Sequence, residues 1–120
     1  MAELNTFNIS DDVQRIGDSL LANGAVIVTG VLDSDCLARF KAEVDPLLTV
    51  ADPQIKHLNP VLDVFYGQHV RHVTGMAGKS TTFAHDIMCH PLYLALCERI
   101  LSPSCAEYVL NLGHLMDRGP

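Results

Sequence analysis

At 120 residues the chain has the size of one domain, 1–120, and its 48% hydrophobic content excludes a disordered polypeptide. The formal charge of −6 sits entirely in residues 1–63, and the eight Lys and Arg stand singly along the sequence, which excludes the clustered basic footprint of a nucleic-acid binder. No window approaches the ~20 apolar residues of a membrane span, and Met1-Ala2-Glu3-Leu4-Asn5 lacks the regions of an export signal, so the expectation is a cytoplasmic protein whose four cysteines stay reduced.

Taken in order, Val13, Ile16, Leu20 and Leu21 recur at helical spacing over residues 11–23, with Ser10 as the expected N-cap and Gly24 where a left-handed C-terminus is needed. The β-branched run Ala25–Thr29, closed by Gly30, predicts a short buried strand. Asp33 caps a second helix over Ser34–Val44, with Leu37, Phe40 and Val44 on one face and Pro46 ending or bending it. Residues 49–60 carry Asp52-Pro53 and Asn59-Pro60 without sustained periodicity and read as a loop.

Residues 65–73 read as a strand or extended arm, leading into a Gly75–Lys79 segment that looks mobile. Ser80 then caps a helix to about Cys89, and His90-Pro91 opens another whose core face is Leu92, Leu96, Ile100 and Leu101. The alternation of Tyr108, Leu110 and Leu112 within residues 105–116 predicts a further strand, and Asp117-Arg118-Gly119-Pro120 a turn. Cys89, Cys97 and Cys105 fall in or beside apolar stretches, where a buried thiol belongs.

Several motifs fail on inspection. Gly78-Lys79-Ser80 ends like a phosphate-binding loop, but Val73 stands where that pattern needs its first glycine, and polar residues replace the preceding buried strand. His85 and Cys89 share a helix face with His90 adjacent, yet no Cys-x-x-Cys, His-Glu-x-x-His or His-x-Asp completes a ligand set. Cap or surface roles for His85 and His90 and a core role for Cys89 are the favoured reading. His69 and His72 would face together on a helix and apart on a strand. No Gly-x-Ser-x-Gly elbow marks a serine nucleophile.

The order of short phrases carries more. Asn23-Gly24-Ala25-Val26-Ile27-Val28-Thr29-Gly30-Val31-Leu32-Asp33 after a helix, Arg71-His72-Val73-Thr74-Gly75-Met76-Ala77-Gly78-Lys79-Ser80, Phe83, His90-Pro91-Leu92 and Tyr108-Val109-Leu110-Asn111-Leu112 resemble, in this order, the phytanoyl-CoA dioxygenase family over about residues 15–120. The resemblance implies an α+β chain: the N-terminal helices and first strands of a double-stranded β-helix (jelly-roll, cupin-like) dioxygenase, with the barrel incomplete. It implies Fe(II) and 2-oxoglutarate as cofactors of the complete family member, which oxidises a small or lipid-like molecule. Two imidazoles and a carboxylate would hold the iron and leave positions open for 2-oxoglutarate and oxygen.

In relatives the His-x-Asp pair follows the turn, so this chain is expected to stop short of the ligands and to be inactive and cofactor-free alone. On the same resemblance Arg71 reaches toward cosubstrate or substrate, and Leu110, flanked by Tyr108 and Leu112, forms an apolar wall beside it. Residues 49–63 would shape the substrate entrance. A solvated surface charge at Arg71 and core packing at Leu110 are the plain alternatives. A non-catalytic binding or regulatory domain derived from the family is the second functional reading, and an independent metal protein using His85, Cys89 and His90 the third. An incomplete barrel leaves apolar surface uncovered, so self-association is expected.

Overall fold

The computed structural model describes residues 4–51, 60, 61, 64 and 69–118. The expectations for residues 52–59, 62, 63, 65–68, 119 and 120, including most of the entrance loop and the end of the final turn, lie outside these. The chain opens with β1 (Thr6–Asn8), which pairs in parallel with β2 (Ile27–Thr29) across helix α1 (Val13–Asn23). Parallel strands need a long crossover, and α1 provides it.

Asn8 shapes the turn into α1. Its Oδ1 accepts from both the Ser10 N–H (3.0 Å) and the Ser10 hydroxyl (2.9 Å), while its own N–H donates to Asp11 Oδ2 (2.7 Å). Ser10 is thereby occupied, and the cap of α1 is Asp12, whose Oδ1 accepts from the Gln14 N–H (2.9 Å). At the other end Gly24 adopts φ 76° and donates to Leu20 O, as the spacing predicts. The expected buried strand is shorter and more exposed than the sequence implies. Ile27 and Thr29 face outward, because a two-stranded sheet covers only one side of each strand.

Helix α2 (Ser34–Val50) starts at the expected cap, with Asp33 Oδ1 accepting from the Cys36 N–H (2.7 Å). It does not stop at Pro46. The proline removes one N–H, but Val44 is buried and Leu47, Leu48 and Ala51 pack on the core, so tertiary contacts carry the helix past the break. Leu37, placed by its spacing on the core face, is exposed, and Cys36 takes the buried position instead.

The main cluster joins α2 to a second sheet, in which β3 (Arg71–Thr74) runs antiparallel to β4 (His114–Asp117). Val44, Val73 and Met76 are its buried members, with Phe40, Leu47, Leu48, Phe83 and Leu115 packed around them. The Gly75–Lys79 segment is anchored here: Met76–Gly78 is a 3-10 turn, and Met76 is 1% exposed. Ser80 caps the next helical segment through its Oγ, which accepts from the Phe83 N–H (2.9 Å). Phe83–Ile87 is wound as a π-helix, with Met88 N–H donating to Phe83 O (2.8 Å).

Helix α3 (Pro91–Leu101) begins as predicted, with Pro91 in the first turn and His90 Nδ1 accepting from the Leu92 N–H (3.2 Å). It packs on α1 at Gly17. There the Arg99 side chain lies so close that a Cβ would meet its Cδ at 2.5 Å, and its guanidinium reaches Gln14 and Asp18. Leu92, Leu96 and Ile100 are half-buried, while Leu101 is exposed. All four cysteines are free thiols, and only Cys36 is buried.

The strand expected over residues 105–116 is displaced. Residues 105–113 form no regular element, and the strand begins at His114. Pairing decides this: β4 forms where β3 offers a ladder, and among the described residues none offers one to Tyr108–Leu112.

Candidate functional site

Arg71, Leu110 and their neighbours meet different fates. Arg71 is the first residue of β3, directly across from Asp117 on β4. Its guanidinium is ion-paired to Asp117 Oδ2, and Nη1 also donates to the carbonyl of Leu48 (3.3 Å). One cation therefore ties β3, β4 and the end of α2 together, with its side chain still 37% exposed. It is not a simple solvated surface charge, and its fork is already engaged on one side.

Leu110 lies outside the buried core of the described residues. It is 45% exposed, between Val109 and Leu112, which are more exposed still. Tyr108 is held by its hydroxyl, which donates to Glu98 Oε2 on α3 (2.9 Å). That hydrogen bond to a carboxylate is the largest cause of a phenol held above its ordinary value.

His85, Cys89 and His90 do come together, as lining of one cleft of about 330 Å³ between the start of α2 and the start of α3. They do not converge on an ion. Asp86, beside them, is paired with Arg39 across the cleft (2.8 Å), and His90 is spent as a helix cap. Among the described residues no group of three His, Cys, Asp or Glu side chains is placed to hold a metal. The described residues therefore do not form an iron triad. His72 lies in the extended strand β3, and its Nδ1 meets His114 Nε2 at 2.9 Å.

Sequence reasoning missed the Glu43 clamp. From α2 the Glu43 carboxylate accepts from the Ser80 hydroxyl, the Thr82 N–H (3.1 Å) and the Thr82 hydroxyl (2.9 Å). Ser80 and Thr82 are buried, and the Ser80 hydrogen bond above all holds the Glu43 carboxyl below its ordinary value. No local spacing could have shown it, since the partners lie 37 and 39 residues apart.

Relatives named as dioxygenases match most of this chain. Dioxygenase hkm4 of Aspergillus hancockii is 28% identical over 98% of the chain. Dioxygenase cdmD of Talaromyces verruculosus is 27% identical over 82%, and dioxygenase olcK of Penicillium canescens 23% identical over 89%. The chain spans 40%, 36% and 34% of the lengths of these three relatives. No protein-family model matches it. Among the described residues no helix is long and apolar enough to cross a membrane.

Proposed function

We propose that this chain is the front portion of an iron(II)- and 2-oxoglutarate-dependent dioxygenase of the phytanoyl-CoA dioxygenase type, acting on a small or lipid-like molecule. The observation that carries the reading is the match to fungal dioxygenases along 82–98% of the chain, while the chain accounts for 40% or less of each. In this reading the helices and short strands are the preface to a double-stranded β-helix, and the iron ligands belong to sequence following Pro120. Iron with 2-oxoglutarate supplies the oxidising chemistry when bound.

The chain's own residues then have two tasks. Arg71, fixed by Asp117 and the Leu48 carbonyl, contributes positive charge toward the carboxylates of cosubstrate or substrate. Leu110, exposed in the described residues, becomes apolar wall once further strands cover it. The test is the genomic reading frame past Pro120. The proposal expects a His-x-Asp pair shortly downstream and, in the protein carrying it, succinate release from 2-oxoglutarate with added Fe(II). A frame continuing into sequence without such a pair rejects the proposal.

A further inference from the structure

Two contacts set α2 in register with the helical segment that follows the 3-10 turn. The Glu43 carboxylate accepts from Thr82, and Arg39, four residues back along α2, pairs at 2.8 Å with Asp86, four residues further along the other segment. Stepping back on one while stepping forward on the other means that the two run antiparallel. Three residues further in each direction stand Cys36 and Cys89. Residues three and four apart share a helix face, so positions 36, 39 and 43 look toward 82, 86 and 89. Cys36 and Cys89 therefore occupy the next rung of the ladder, and both line the cleft that Arg39 and Asp86 span.

We propose that Cys36 and Cys89 form an oxidisable thiol pair, a modification site for a peroxide, whose disulfide locks the start of α2 to the chain just ahead of α3. The site does not depend on the oxygenase reading. Access sets the order of events, since Cys89 is exposed and Cys36 is only 6% exposed. The Cys89 thiolate attacks one oxygen of hydrogen peroxide, the O–O bond breaks, and the other oxygen leaves as water, which makes Cys89 a sulfenic acid. The Cys36 thiolate then attacks the Cys89 sulfur and displaces its hydroxyl as a second water, forming the S–S bond. Two thiols are oxidised to one disulfide and one hydrogen peroxide is reduced to two waters.

The other two cysteines are placed differently. Cys105 is exposed, but its thiol donates to the Leu101 carbonyl (3.1 Å), and Cys97 is half-buried on α3. A disulfide joins Cα atoms about 4.4–6.8 Å apart, so bond formation draws the two walls of the cleft together. The Arg39–Asp86 ion pair and the Glu43 clamp already hold those walls, one and two turns away, and limit the chain entropy lost on closing.

The experiment treats the full 120-residue chain with hydrogen peroxide and reads intact mass, then disulfide position by peptide fragmentation. A loss of two hydrogens per chain is expected, with Cys36 joined to Cys89 and the change reversed by dithiothreitol. Cys97→Ser and Cys105→Ser should still form the bond. Cys36→Ser should stop at a sulfenic acid on Cys89 that dimedone traps, and Cys89→Ser should leave Cys36 a free thiol at the same dose. The mapping on the unsubstituted chain decides the matter even where a variant fails to fold. Absence of an intrachain disulfide, a principal link through Cys97 or Cys105, or dimedone labelling of Cys105 ahead of Cys89 overturns the proposal.

Discussion

Glu43 gathers three hydrogen bonds that bridge α2 to the segment after the 3-10 turn, and both hydroxyl donors are buried. The arrangement favours the carboxylate over the acid, so the folded-state value lies below the ordinary 4.5. A depressed carboxyl stabilises the fold above its unfolded value and loses that contribution as pH falls through the folded one. Wild-type stability is therefore expected to drop more steeply than that of Glu43→Gln as the pH is lowered below about 4.5, read from urea midpoints across a pH series. Parallel curves would show that the clamp is not charge-dependent. At this scale the sequence spoke clearly only where a residue acts on its neighbours, as Asp33, Gly24 and Pro91 do. Glu43, Arg71 and His72 act across tens of residues, and nothing local marks their partners.

Two helices differ in how they end and continue, and each difference is measurable. Gly24 closes α1 at φ 76° with open space around its Cβ position, so Gly24→Ala carries only the backbone cost of the left-handed region. A loss of about 1 kcal/mol is expected, seen as a fall of roughly 4 °C in Tm, and Gly24→Asn should recover part of it. Pro46 sits inside α2 and leaves one carbonyl without its intrahelical donor. Pro46→Ala restores that bond at some cost in unfolded-state entropy and is expected to stabilise by about 2 kcal/mol, checked by thermal and urea unfolding. An unchanged midpoint would mean the helix is already relaxed around the ring. Both helices were legible from apolar spacing and caps. The length of α2 was not, because the contacts of Leu47 and Leu48 that outweigh the proline come from other elements.

Across the whole molecule the apolar content is not fully used. Val109 is 88% exposed, and Leu110, Leu112, Tyr93, Leu94 and Met116 are exposed as well. Apolar side chains left exposed in this number favour association. The isolated chain is expected to self-associate with rising concentration in sedimentation velocity, and Leu110→Glu with Leu112→Glu to shift it toward monomer. A monomer at every concentration would remove that expectation. The alternation of Tyr108, Leu110 and Leu112 marks apolar patterning, yet no strand forms there. Periodicity reports which side chains want cover, whereas a strand also needs a backbone neighbour, and that information is absent from a local window.

The pairing of β1 with β2 reaches beyond topology. The Ile27 amide donates to Asn5 O (3.0 Å), the Ile9 amide to Thr29 O (2.9 Å), and the Thr29 hydroxyl to Phe7 O (3.1 Å). The leading residues are thus a clasp across α1 that holds Ile27–Thr29 extended. A protease nick ahead of Val13 should deprotect the Ile27 amide to deuterium, far along the chain from the cut.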